Sequence, residues 1–210
     1  IELSVEIGDA DVHILGYLID TSDPELKESA ARLAEARLDR ARLMIDLLKG
    51  EGIHISYDEV LSEAGGGTVG RPHLAAVMLR RGYVRSYQSA FGRYLGEGKP
   101  CYVPKTVLPL QQVVDMIQSA GGVSGWAHPG DLIDDDVVLN RLLEAGIGAV
   151  EAYHPNHDSR IEKRVLAAAE THGLIVTGGS DFHFIEAKNI DIGEVSAPYS
   201  AVASLHRAVI

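Results

Sequence analysis

The apolar and polar positions of this chain fall into two regimes. Ile1-Glu2-Leu3-Ser4-Val5 reads as a strand already under way, which predicts a chain that begins in mid-domain. Residues 12–20, Val-His-Ile-Leu-Gly-Tyr-Leu-Ile-Asp, form a β-rich apolar run expected to be a buried strand. Gly8-Asp9-Ala10-Asp11 between them carries turn chemistry, so the two strands are predicted neighbours. Thr21-Ser22-Asp23-Pro24 then caps a helix, with Pro24 at its first position. From there to about Gly50, Leu33, Ala36, Leu43, Ile45, Leu47 and Leu48 recur at helical spacing. Ser56 with Glu59 has capping-box spacing for a helix over 56–64. Residues 72–81 and 86–95 read as two more helices, so 21–98 is predicted to be nearly all helical.

The second regime starts at Gly98-Lys99-Pro100. Tyr102-Val103-Pro104 is short and extended, and Pro109 opens a helix running to about 120. Strand and helix then alternate: strands over 123–128, 149–153 and 174–178, helices over 134–145, 160–172 and 200–209. Such alternation predicts βα units around a parallel sheet. The expected fold class is α/β, with 1–20 and 99–210 in one domain and 21–98 as a helical insertion.

Composition adds limits. The chain of 210 residues is 46% hydrophobic and 23% charged, ordinary globular values, and long enough for one core plus a small insertion. It contains no apolar run long enough for a membrane helix and no visible signal peptide. Cys101 is the only cysteine, which leaves no intramolecular disulfide and no cysteine-based zinc site. A cytoplasmic protein is expected. The net charge of −11 opposes binding to duplex DNA and to anionic membranes. A phosphorylated substrate then needs local positive charge, which bound metal ions supply.

Candidate chemistry gathers where the strands end. Trp126-Ala127-His128-Pro129-Gly130, Glu151-Ala152-Tyr153-His154-Pro155-Asn156-His157 and Gly178-Gly179-Ser180-Asp181-Phe182-His183 close three consecutive predicted strands. In α/β proteins that edge carries function. Histidine and aspartate together suit Zn²⁺, Mn²⁺ or Fe²⁺. Gly65-Gly66-Gly67 lacks the Lys-Ser/Thr of a phosphate loop. His54, His172 and His206 have no acidic company and read as surface residues.

Glu2 with Val12–Tyr17, Gly70-Arg71-Pro72-His73-Leu74, Gly98-Lys99-Pro100, Ala127-His128-Pro129-Gly130, His154-Pro155-Asn156-His157 and Ser180-Asp181-Phe182-His183 occur in this order. The ordered series resembles the PHP (polymerase and histidinol phosphatase) phosphoesterases of the nucleoside 3′,5′-bisphosphate phosphatase type. The resemblance covers essentially the whole chain. It implies a distorted (β/α)7 barrel, interrupted by the helical insertion and holding up to three divalent metals (Mn, Fe or Zn). It implies metal roles for Glu2, His13, His157, Asp181 and His183, with Glu2, His13 and His157 converging on one ion. Catalytic roles fall to Asp181, His183 and His128, the last as a phosphate contact or a second-sphere partner, and His154 supports them at most. The family's opening His-x-His segment and the acid after it have no counterpart in this sequence. The resemblance therefore leaves one metal with its full ligand set.

Arg71, His73 and Lys105 are the expected substrate contacts. A guanidinium binds phosphate bidentately and a helix N-terminus adds attraction for anions. The activity implied is metal-dependent hydrolysis of a phosphomonoester on a nucleotide, the 3′-phosphate of a nucleoside 3′,5′-bisphosphate foremost, with short oligoribonucleotides also open. The alternative is a PHP-like binding or regulatory module that has lost catalysis.

Overall fold

A computed structural model of the chain describes residues 1–182 and 191–209. The chain divides into two compact units, 1–27 with 107–210 and 28–106.

The first unit is built on a five-stranded sheet in the order β1 (Glu2–Ile7), β2 (Ala10–Tyr17), β3 (Val123–Trp126), β4 (Ala149–Tyr153), β5 (Ile175–Gly178). The sheet is mixed: the later strands are parallel, as their alternation with helices predicts, and the first two are turn-joined neighbours. β1, β2 and β3 pair antiparallel, and β3, β4 and β5 pair parallel. The reason is local: the two-residue connection at Gly8-Asp9 can only join antiparallel strands, whereas the helices between later strands return the chain for parallel pairing. Those helices, α6 (Asp136–Ala145) and α7 (Ser159–His172), start at aspartate caps. Asp135 accepts from Val137 N at 2.9 Å, and Asp158 accepts from Ile161 N at 2.8 Å. A 3₁₀ turn over Gly130–Asp134 precedes α6, which begins two residues later than its pattern predicts.

Strand alternation sorts the two faces of the sheet. Leu3, Val5, Ile7, Val12 and Ile14 are buried on one face, which helix α5 (Leu110–Ser119) covers with Val113, Val114, Met116 and Ile117. Glu2, Ser4, His13, Leu15 and Tyr17 share the other face. That face is concave. Tyr17 Oη lies 2.9 Å from Thr177 Oγ1, bridging β2 to β5 across two intervening strands. Strands about 4.8 Å apart would hold these residues roughly 14 Å apart in a flat sheet, so the sheet curls as barrel sheets do. Gly125 lies under the tyrosine. A Cβ there would come 2.9 Å from the Tyr17 ring and 3.1 Å from Ala149 Cβ. Burial pushes the Tyr17 hydroxyl up to about 12, keeping it a neutral donor. α8 (Ser200–Ala208) places Leu205 against Val123 and Ala149.

The second unit contains most of α1 (Pro24–Gly50), then α2 (Tyr57–Ala64), α3 (Arg71–Arg80) and α4 (Tyr87–Ala90). Its core includes Met44, Leu48, Val60, Leu74, Met78 and Leu95. The Ser56–Glu59 capping box forms as its spacing predicts: Glu59 N donates to Ser56 Oγ at 3.2 Å and Ser56 N to Glu59 Oε2 at 2.9 Å. The helix expected over 86–95 changes to π-helical bonding at Phe91–Leu95, where Gly92 weakens the α preference. Among the described residues, no helix is long and apolar enough to cross a membrane.

Candidate metal centre

Antiparallel pairing brings the start of β2 beside the end of β3. Ala127 N donates to His13 O at 3.0 Å, which sets His13 next to His128. Ser4 pairs with His13 and Glu2 with Leu15, so Glu2 and His13 are diagonal neighbours on the concave face. Three donor atoms meet there. His13 Nδ1 lies 2.7 Å from Glu2 Oε1 and 3.2 Å from His128 Nε2, and His128 Nε2 lies 3.5 Å from Glu2 Oε1. This is the group of His and acidic side chains within metal-sharing reach among the described residues. Ligands about 2.1 Å from a tetrahedral ion stand roughly 3.4 Å apart, so the donor spacing fits a small divalent ion. Without an ion, His13 Nδ1–H donates to Glu2 Oε1, and Asp11 Oδ1 lies 3.8 Å from His13 Nε2.

The electrostatics favour a cation. The hydrogen bond with His128, and then that with His13, hold the Glu2 carboxyl well below the usual carboxylate range, against the opposing effect of burial. Glu2 in turn raises His128 above an ordinary imidazole, although burial pulls the other way.

His157 does not join this group. The histidine rings run in a row from His13 to His128, His154 and His157, with centroid separations of 5.0, 5.3 and 5.3 Å. His157 Nε2 accepts the Gly130 N–H at 3.2 Å, so its proton sits on Nδ1 and is donated to Ala152 O at 2.8 Å. A ring fixed by a backbone carbonyl with its other nitrogen free of hydrogen is prepared as a ligand, but the expected convergence with Glu2 and His13 is taken by His128. His154 lies between them, 5% exposed. Its Nδ1 accepts from Asn156 N at 3.2 Å, which puts the proton on Nε2, 3.6 Å from Asp181 Oδ2. Burial first, then His128 and His157, depress His154 to about 4, so it stays neutral.

Backbone strain falls on the same edge. His128 and Asp181 both have positive φ, 29° and 46°, at the ends of β3 and β5. Such conformations persist only where the surroundings hold them, and they gather at functional sites. Glu151 holds one of them: its Oε2 accepts His128 N–H at 2.9 Å from a position 6% exposed. Burial pushes the Glu151 carboxyl up, with Asp181 and Glu2 adding to the shift and the His128 bond opposing it. Sequence reasoning missed this residue, although a glutamate inside the apolar strand Ala149-Val150-Glu151-Ala152 was a visible signal. Glu151→Ala is expected to cost about 1–3 kcal/mol, because it strands a buried N–H. It should also weaken divalent metal binding about 10–100-fold, as loss of an orienting partner does. Urea unfolding and a Mn²⁺ titration check both.

The remaining expected residues are placed as follows. Asp181 is part-buried beside His154. Arg71, His73 and Lys105 belong to the second unit, where His73 Nδ1 accepts Gly70 N–H at 3.0 Å and caps its own helix. His183 lies outside the described residues.

Comparison with known proteins places this arrangement in context. No family model matches the chain. It is 32% identical over 198 residues to a 3′,5′-nucleoside bisphosphate phosphatase of Chromobacterium violaceum, covering 92% of this chain and 70% of that protein. It is 29% identical over 187 residues to a 5′-3′ exoribonuclease of Salmonella typhimurium, covering 87% of this chain and 64% of the other. The chain thus spans about two-thirds of the length of these relatives. A solved structure from Bifidobacterium adolescentis, named for metal-dependent phosphoesterase activity, superposes with a TM-score of 0.84 at 28% identity, covering 97% of this chain and 73% of that one.

Proposed function

Because the chain belongs to the PHP-type metal-dependent phosphoesterases, we propose that its concave sheet face hydrolyses a phosphomonoester, the 3′-phosphate of a nucleoside 3′,5′-bisphosphate. The observation that carries this reading is the donor triangle of Glu2, His13 and His128. One carboxylate and two imidazoles, with room left for water, are a usual catalytic rather than structural set, and they suit Mn²⁺, Fe²⁺ or Zn²⁺. Held by Glu2, His13 and His128, such an ion would supply Lewis-acid polarisation of a phosphoryl group and lower the pKa of a nearby water. The chain's own residues prepare the site: Glu151 fixes the His128 backbone, and the His154 Nε2–H faces Asp181. Asp181, His157 and His183 are the residues proposed for further metals, up to three in all. Arg71, His73 and Lys105 are the proposed phosphate contacts, on the chemistry of a guanidinium, an imidazole and an ammonium.

The test is phosphate release from adenosine 3′,5′-bisphosphate with Mn²⁺, with histidinol phosphate alongside. Release from the bisphosphate is expected. Release from histidinol phosphate alone would sink the substrate assignment. The exoribonuclease relative favours a second reading, stepwise cleavage of short oligoribonucleotides, which the same assay addresses with a short RNA.

Metal binding should depend on pH. The depressed Glu2 contributes stability above its unfolded value near 4.5, lost as pH falls below it. The raised His128 contributes stability below its unfolded value near 6.5, lost as pH rises through its folded one. The metal-free network is therefore strongest between those values. A divalent ion must displace the His128 proton, so Mn²⁺ affinity is expected to rise with pH through the neutral range, with proton release. Calorimetric titration in buffers of different ionisation heat measures this. An affinity flat from about pH 6 to 8 would count against the His128 donor.

A further inference from the structure

Within the helical unit, α1 and α3 press three arginines together. Arg37 and Arg40 are one helical turn apart on α1 and lie on one face. Arg71 is the first residue of α3, and all three line one crevice between the two helices. The Arg40 guanidinium lies 5.8 Å from the Tyr102 ring centroid and that of Arg71 lies 5.5 Å from the same ring. Arg40 Nε donates to Val103 O at 2.7 Å, which fixes the head. Among the described residues none of the three has a carboxylate partner. Their neighbours do: Arg32 has Glu28, Arg42 has Asp39, Arg80 has Glu63 and Arg81 has Glu59. Burial, then Arg71, and more weakly Arg37 make the charge on Arg40 harder to hold.

In a chain of net charge −11, acids were available to neutralise this group and, among the described residues, are not used. Three crowded guanidiniums repel one another, and the fold keeps them beside the N-terminus of α3, which adds further positive potential. The chemistry that relieves all of this is a multiply charged oxyanion bound by forked N–H pairs.

We propose that Arg37, Arg40 and Arg71 form an oxyanion site within the helical unit that takes a phosphate group. For Arg71 this rests on the substrate reading above. For Arg37 and Arg40 it is a new assignment, and the site uses no residue of the metal centre.

The test uses the full chain stripped of metal, with inorganic phosphate as the probe at constant ionic strength and chloride as the control anion. Phosphate is expected to bind and to raise Tm. Arg37→Gln, at an exposed position where folding is unaffected, should weaken binding about tenfold or more, as loss of a charge-assisted contact does. Without phosphate the same variant should be no less stable than the parent, because it relieves repulsion. Arg40→Lys, which keeps the charge but loses the fork, should weaken binding too, and His13→Ala should not. An equal phosphate-induced rise in Tm in the parent and in Arg37→Gln would overturn the proposal, and so would no rise in the parent. Loss of phosphate release in the Mn²⁺ assay with intact phosphate binding here would instead condemn the metal-site reading alone.

Discussion

Replacing His13 with alanine is expected to empty the metal centre. Among the described residues His13 Nδ1 is one of three donors that meet at this point, 2.7 and 3.2 Å from Glu2 Oε1 and His128 Nε2, and two remaining donors would hold a divalent ion poorly. Losing even an orienting partner costs about 10–100-fold in affinity, so removing a ligand should cost more than about 100-fold. If the ion supplies several kcal/mol of transition-state stabilisation, phosphate release should fall on the order of 10³-fold. Elemental analysis after dialysis reads the first effect and the phosphate assay the second. His128→Ala should match His13→Ala in severity, whereas His157→Ala should retain more metal. Equal metal content in parent and His13→Ala would show that the three-donor centre is not built as described.

The largest loss of stability is expected at Trp126. It is 1% exposed at the end of β3 and pairs with Ile14 on the face that α5 covers. Truncating a buried tryptophan to alanine removes its transfer energy and leaves a cavity, about 3–5 kcal/mol in total. Trp126→Phe should cost far less, because most of the volume remains. Two residues after Trp126, His128 takes up its positive φ of 29°, so Trp126→Ala should also loosen the metal centre. Urea unfolding followed by circular dichroism gives the stability, since the substitution removes the only tryptophan fluorophore. A cost under about 1 kcal/mol would show that the site tolerates collapse.

Much of this was legible in the sequence because local chemistry decided it. The capping box at Ser56 and the strand-end clusters at His128, His154 and Asp181 follow from spacing alone. The mixed sheet was not legible from the alternation of strands and helices, which says nothing of β1 and β2. The two-residue turn at Gly8-Asp9 was the relevant signal. The choice between His128 and His157 was hidden for a related reason. Antiparallel pairing of β2 with β3 puts His13 beside the end of β3, while His157 lies beyond β4 and spends its Nε2 on Gly130. Glu151 escaped because its role is a hydrogen bond to a strained backbone amide, which no motif records. Arg37 and Arg40 belong to no motif, since only the approach of α3 and Tyr102 makes them a group with Arg71.

The central claim is that Glu2, His13 and His128 hold a divalent ion that serves phosphoester hydrolysis. Anomalous diffraction at the manganese edge from crystals grown with Mn²⁺ tests it most directly. The account predicts a peak bounded by Glu2 Oε1, His13 Nδ1 and His128 Nε2, each about 2.0–2.3 Å from its centre. Peaks elsewhere on the protein with none among these three atoms would contradict it.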